Sequence, residues 1–136
     1  MKLLMIYCDK FAYKTSLKAL ETARDIDEQE TSENVLVGFI HIEQKDESDP
    51  AYVETKLVKN LKWAARKNST TSIILHSFAH LADTKASPEA TQTIFDQAQA
   101  RLENADYNVK QTPFGYFLDL KLQAPGNPLT RLFKEI

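Results

Sequence analysis

The chain has 136 residues, of which 43% are apolar and 26% are charged, and its formal net charge is −2. This length and composition predict one globular domain over residues 1–136, with a core of its own. The charge argues against broad, non-specific binding of nucleic acid, which needs a basic surface, but it does not exclude a local basic patch. The single cysteine, Cys8, excludes an internal disulfide and fits a reducing cytoplasm. The short N-terminal apolar run predicts no membrane span, so we expect a cytoplasmic protein.

Apolar runs of strand length predict the first strands, which are Leu3–Tyr7, Val35–Ile42 and Ser72–His76. The acidic segment 24–34 is predicted to be a loop. Asp49-Pro50 and Ser87-Pro88 are helix start signals, and apolar residues follow both at helical spacing. Strands at Asn108–Lys110 and Tyr116–Gln123 and a short C-terminal helix complete the pattern. We therefore predict an α/β (α+β) fold with a mixed sheet and two main helices packed on it.

Two of the three histidines lie where a buried strand runs out into a loop. His76 and His80 have the spacing of a zinc pair on a helix, and His41 is a third possible ligand. The local pattern is strand into loop, so we expect no metal; His76 is interpreted as a strand-end histidine bonded to backbone. Cys8 with Asp9 and His80 is a weak candidate for a nucleophilic thiol, and a buried structural cysteine is the favoured interpretation.

Other patterns leave alternatives open. The chain has only three glycines and no glycine-rich phosphate loop, so no nucleotide cofactor is expected. "TPFGYF", residues 112–117, is either a satellite core cluster or an aromatic wall for a stacked base or a small pocket. Five basic side chains on the first helix are interpreted as a solvated face; they are Lys56, Lys59, Lys62, Arg66 and Lys67.

Four short blocks together resemble a known family. They are "FAHL" (78–81), Ser87-Pro88, "PFGY" (113–116) and "GNPL" (126–129). The chain is similar over nearly its whole length to the N-terminal editing domain of archaeal-type threonyl-tRNA synthetase, whose fold is related to that of D-aminoacyl-tRNA deacylases. The resemblance implies hydrolysis of serine from mischarged tRNA(Thr), with a ribose hydroxyl of the tRNA helping to activate water. It also implies binding of the aminoacylated tRNA end, a homodimer, and a synthetase either fused or recruited in trans.

The resemblance also implies roles for particular residues. His80 takes the position of the family histidine, at the terminal ribose or the water network. Backbone groups near Phe78 and Ala79 would bind the seryl amino group or hydroxyl. The remaining pocket positions implied by the resemblance are Ile42, Phe114, Gly115, Tyr116 and Phe117.

The sequence departs from the family pattern at several of these places. The family has a tyrosine and a lysine where this chain has Phe117 and Leu118, a histidine at Asn127 and an acidic residue at Arg131. Asp119 and Lys121, on the strand face of Phe117, are possible replacements. Losing one donor to a developing charge costs on the order of 10²–10³ in rate. Two alternatives therefore stay open: an aminoacyl-tRNA deacylase that lacks the family lysine, and a tRNA-end binding module with weakened catalysis.

Overall fold

The computed structural model describes all 136 residues. The chain forms six strands, which are β1 (Lys2–Lys18), β2 (Gln29–His41), β3 (Ser72–Ser77), β4 (Asn108–Gln111), β5 (Tyr116–Gln123) and β6 (Arg131–Glu135). Two helices, α1 (Pro50–Lys67) and α2 (Pro88–Asn104), connect the strands. Two short 3-10 segments occupy Gln44–Ser48 and Pro128–Thr130.

All six strands belong to one mixed sheet of order β4-β3-β2-β1-β5. β1 and β2 are antiparallel, whereas β2, β3 and β4 run parallel to one another. On its other edge, β1 pairs with β6 over Lys2–Ile6 and with β5 over Lys10–Lys18. A single long strand therefore organises the antiparallel half of the sheet.

Both faces of the sheet carry buried side chains. Alternate residues of each strand point to opposite sides, so one strand contributes to both clusters. The larger cluster of buried residues lies between the helices and one face, and it includes Leu36 and Ile40 of β2 and Leu57 and Leu61 of α1. The smaller cluster lies on the opposite face, where Leu118 of β5 packs against it. Gly38 lets α1 approach closely, since an added Cβ would lie 3.1 Å from Leu61.

Both helix starts predicted from the sequence are confirmed. The Asp49 side chain accepts a hydrogen bond from the Tyr52 N–H at the start of α1, and Ser87 caps α2 through the Ala90 N–H. Each helix places its predicted apolar stripe in the core. The α/β class with a mixed sheet and two packed helices is likewise confirmed.

Three local predictions differ from the structure. The first strand, predicted over Leu3–Tyr7, continues to Lys18 as β1. The predicted loop 24–34 is strand from Gln29 onward, because these polar residues pair with the second half of β1. Lys14 pairs with Gln29 and Lys10 with Glu33, so exposed side chains on both strands are polar. The predicted C-terminal helix is limited to the 3-10 turn at 128–130, and the following residues pair with β1 as β6.

The end of β2 is fixed from the other side by the first residue of the chain. The Met1 ammonium group lies 2.9 Å from Glu43 and 2.8 Å from Asp46, and all three are buried. This holds the 3-10 segment that follows β2 against the start of β1. None of the helices is both long enough and apolar enough to span a membrane.

Candidate functional site

A small cavity lies on the helix-bearing side of the sheet, where β2 and β3 end. Its volume is about 200 Å³, below the usual range for pockets that take drug-sized ligands. Four segments form its walls: the residues after β1, the end of β2, the loop between β3 and α2 with the first turn of α2, and the turn before β5. The lining residues are Ala19, Leu20, Ile40, Ile42, Ser77, Ala79, His80, Lys85, Ala86, Pro88, Thr91 and residues 113–117.

The loop after β3 is held to the end of β2 by hydrogen bonds at both of its ends. The Phe78 N–H donates to the Ile40 carbonyl and the Ala86 N–H to the Ile42 carbonyl, each at 2.9 Å. These bonds continue the parallel pairing of β2 with β3 beyond the strands. The loop therefore forms a fixed wall of the cavity.

His41 holds the middle of the same loop. Its Nδ1 accepts the Leu81 N–H at 2.9 Å, and its Nε2 lies 2.7 Å from the Thr84 carbonyl. Because a backbone N–H can only donate, Nδ1 carries no proton and Nε2 donates to the carbonyl. The side chain is 1% exposed and both ring nitrogens are engaged, so neither is free to bind a metal.

His80 lies at the mouth of the cavity. Its ring packs edge-on against Phe78, with centroids 4.9 Å apart. The hydrogen-bonded histidine nitrogens are those of His41 and His76, so the His80 imidazole is free of protein partners. An exposed ring positioned by an aromatic neighbour can bind a ribose hydroxyl or orient a water molecule.

The turn before β5 forms the opposite wall. Gly115 has φ +85°, and an added Cβ would lie 2.9 Å from the Ala23 Cβ, so glycine is required both by conformation and by space. The Tyr116 hydroxyl donates to the Arg24 carbonyl at 2.7 Å and accepts the Ile26 N–H at 2.8 Å. These contacts fix the turn against the segment between β1 and β2.

The structure brings most of the predicted site residues to this one cavity. His80, Ile42, Ala79 and the 114–117 turn all line it. Phe78 does not: its side chain packs between Phe39 and His80, and its N–H is bonded to Ile40, so that amide is unavailable to a ligand.

Lysine 85 is a lining residue that the sequence pattern did not indicate. Lys85 is exposed and forms no ion pair, and no Asp or Glu lines the cavity. Its place depends on the course of a loop held by His41, for which the sequence carries no recognisable signal. The cavity therefore combines apolar walls with one free ammonium group and one free imidazole, which can donate hydrogen bonds to the oxygen atoms of a polar ligand.

His76 differs in its contacts from the prediction. Its Nδ1 bonds the Thr112 hydroxyl at 2.9 Å rather than backbone, and the side chain is 6% exposed. Burial lowers the pKa of His76 to about 4, and the nearby charge of His80 adds to this effect. His76 is therefore neutral at ordinary pH and lies outside the cavity lining.

Cys8 and the histidines form neither a thiol nor a metal site in this fold. Cys8 is fully buried among β1 and β2 side chains, away from the cavity. Burial, with a contribution from Asp9, raises the pKa of its thiol to about 11, the opposite of what a nucleophilic thiolate needs. No group of three or more His, Cys, Asp or Glu side chains is arranged to hold a metal ion.

The positions of departure from the family pattern fall on both faces of β5, at Asn127 before the second 3-10 segment, and at the start of β6. Phe117 lines the cavity and is 52% exposed, whereas Leu118 packs against the smaller core cluster. Asp119 and Lys121 are exposed further along β5 and do not line the cavity. Arg131 begins β6, opposite Ile6, and is also outside the lining.

A family model described as the Archaea-specific editing domain of threonyl-tRNA synthetase matches residues 1–136. The chain belongs to this family. The predicted resemblance is thereby confirmed over the whole of the chain. The cavity just described is thus the candidate site of an editing domain, with His80 at its mouth and the 114–117 turn in its wall.

Curated relatives agree with this assignment, and a solved structure shares the fold. The editing domain is 34% identical to the threonine–tRNA ligase of Thermococcus kodakarensis and 32% identical to those of Thermococcus sibiricus and Methanosphaera stadtmanae. Each match covers 100% of this chain and 22% of the relative, so the chain spans about a fifth of their length. The solved c-Myc DNA unwinding element binding protein matches with a TM-score of 0.69 at 12% identity, over 100% of this chain and 99% of its own. This likeness shows the fold, and the predicted deacylase-like class is confirmed.

Proposed function

We propose that the chain hydrolyses the ester bond of mischarged aminoacyl-tRNA, and that its substrate is Ser-tRNA(Thr). The observation that carries the proposal is the small cavity that gathers His80 and the 114–117 turn in a member of this editing family. The tRNA acceptor end enters with its terminal ribose at His80 and the seryl group inside. A volume of about 200 Å³ suits one small amino acid.

The cavity must accept serine and reject threonine, which differ by a single methyl group. One methylene-sized difference is worth only about 1–3 kcal/mol in a binding pocket. The site where a synthetase attaches the amino acid therefore cannot exclude serine fully, and a second pocket that rejects threonine supplies the missing selectivity. Ile42 and Ala86 are buried, and the neighbouring loop is bonded to β2. Such walls yield little to an extra methyl.

In the proposed reaction, a water oxygen bonds to the ester carbonyl carbon. The bond from that carbon to the ribose oxygen breaks, the ribose oxygen takes a proton, and serine and tRNA leave. Because no carboxylate lines the cavity, no Asp or Glu acts as the base; a ribose hydroxyl of the substrate helps activate the water. His80 positions the ribose or the water, and Lys85 stabilises the negative charge that develops on the carbonyl oxygen.

The test is release of serine from purified Ser-tRNA(Thr), with Thr-tRNA(Thr) as the control substrate. We expect His80→Ala to lower turnover about a hundredfold. The control variant is His76→Gln, which changes the neighbouring buried histidine outside the cavity and is expected to retain most activity. Absence of hydrolysis above the spontaneous rate at high protein concentration would reject the proposal.

A second candidate function is binding of the aminoacylated tRNA end without turnover. The apolar side chains of Phe117 and Leu118, and the lack of a carboxylate in the cavity, favour it. It predicts retained affinity for a hydrolysis-resistant seryl-adenosine analogue in a protein that releases no serine. A protein without affinity for the analogue would exclude this function.

The proposal extends to the setting of the reaction. We expect a cytoplasmic homodimer that works with a threonyl-tRNA synthetase, either fused to it or in trans. Sedimentation equilibrium of the purified chain tests the dimer, and a monomer at micromolar concentration contradicts it. Co-purification with a synthetase that lacks this domain tests recruitment in trans.

A further inference from the structure

The outer face of α1 combines cations and aromatic rings in a way that the cavity does not explain. Its residues share the side of the helix opposite the core, and we call this set the α1 strip. The strip consists of Tyr52, Lys56, Lys59, Lys62, Trp63, Arg66 and Lys67. At 1.5 Å per residue, it runs for about 22 Å from the first turn to the last.

None of the five cations of the α1 strip is neutralised. The ion pairs of the protein involve other basic groups, namely Met1, Lys2, Lys18, Lys45 and Arg101. The only acidic residue of α1 is Glu54, which is buried and bonded to Arg101 of α2 at 3.0 Å. A chain with a net charge of −2 therefore concentrates five unpaired positive charges on one helix face.

The two rings of the α1 strip are exposed among these charges. Tyr52 is 52% and Trp63 39% exposed. Lys56 Nζ lies 5.5 Å from the Tyr52 ring centroid, and Lys67 Nζ lies 5.6 Å from the Trp63 centroid. Cations that alternate with exposed aromatic rings suit a polyanion that also carries planar bases.

We infer that the α1 strip is an RNA-binding surface, with the lysines and Arg66 on phosphates and the rings stacked on unpaired bases. The apolar face of α1 is buried in the main core cluster, so the helix has no free apolar side to insert into a lipid bilayer. The exposed rings distinguish the strip from a surface that is merely solvated.

The α1 strip lies on the same side of the sheet as the cavity. Ile40 and Ile42, which line the cavity, belong to the core cluster on which α1 packs. α1 begins at Pro50, shortly after Ile42, so the Tyr52 end of the strip is the nearer one in sequence. That the RNA is a tRNA rests on the proposed function; that the strip binds RNA does not.

The experiment uses Trp63, the only tryptophan of the chain, as its own reporter. Uncharged tRNA is titrated into the wild-type protein over a range of salt concentrations, and tryptophan fluorescence is followed. Contacts to four phosphates predict a slope of about −3 in log K against log salt concentration. No ester is present, so loss of editing chemistry leaves this measurement unaffected.

The variant Lys59→Gln/Arg66→Gln tests the assignment, and the matched control is Lys14→Gln/Lys110→Gln, which removes two exposed cations outside α1. The α1 variant is expected to flatten the salt slope by about 2 and the control to leave it unchanged. Trp63→Phe and Trp63→Ala lack the fluorescent reporter, so their binding is followed by the anisotropy of end-labelled tRNA. Trp63→Phe retains a ring, and Trp63→Ala is expected to weaken binding about tenfold relative to it. Equal affinities for the two double variants, unchanged fluorescence, or stronger binding to phosphatidylserine vesicles than to tRNA would overturn the inference.

Discussion

Acidification is expected to destabilise the protein through His76. The buried ring stays neutral in the folded chain because burial lowers its pKa to about 4, whereas an unfolded histidine has a pKa of about 6.5. Between these values the unfolded chain binds a proton that the folded chain does not. The contribution of His76 to the free energy of unfolding is therefore fully present above about pH 6.5 and is lost as pH falls towards 4.

The size of the effect follows from the two pKa values. Between about pH 7 and pH 5 the free energy of unfolding falls by about 2 kcal/mol from this residue alone, and by pH 4 the loss approaches about 3 kcal/mol. His76→Gln keeps a side-chain amide near the Thr112 hydroxyl but does not titrate. Between pH 7 and pH 5, the free energy of unfolding of this variant is therefore expected to fall by about 2 kcal/mol less than that of the wild type.

Urea unfolding of the wild type and the variant, followed by circular dichroism at several pH values, measures the difference. His80→Gln is the control, since that ring is exposed and free of protein partners. Identical pH slopes for the wild type and His76→Gln would refute the argument, as would an apparent pKa near 6.5 for His76 from proton NMR.

Three further predictions concern the cavity walls. Gly115→Ala forces a Cβ towards Ala23 at positive φ, so thermal melts should show a loss of about 1–3 kcal/mol, with impaired serine release. Tyr116→Phe removes two hydrogen bonds to residues 24–26 and should cost about 1–2 kcal/mol in urea unfolding; an unchanged midpoint contradicts this. Lys85→Met should lower the turnover of Ser-tRNA(Thr) by about a hundredfold with an unchanged melting temperature, whereas Lys110→Met, on β4, should change neither.

The helices were predictable because their signals are local. A capping residue followed by proline and an apolar stripe marked α1 and α2, and tertiary contacts did not overrule them. The second half of β1 also carries a local signal, since Phe11, Tyr13 and Thr15 are buried alternately with exposed Lys10 and Lys14. The first residues of β2 carry no such signal, because pairing with β1 makes a strand of a polar segment.

The candidate site also contains residues that the sequence indicated and residues that it did not. His80 and the 113–117 turn were recognisable as sequence blocks, and the fold places them around one cavity. Lys85 was not recognisable, since its position follows from the His41 bonds to Leu81 and Thr84, which join segments about 40 residues apart. Leu118 shows the opposite case. The sequence matched it to a lysine position of the family, but its side chain packs against the smaller core cluster.

The pairing of β1 has a consequence for biosynthesis. One edge of β1 is covered by β2 early in the chain, but the other waits for β5 and β6, whose partners lie about 100 residues or more away in sequence. Until β5 and β6 have emerged from the ribosome, a nascent β1–β2 hairpin displays an open backbone edge. Contacts of such long range close slowly. Aggregation during expression is therefore expected to respond to the rate at which residues 116–135 emerge, and a chaperone that shields strand edges should raise the soluble yield.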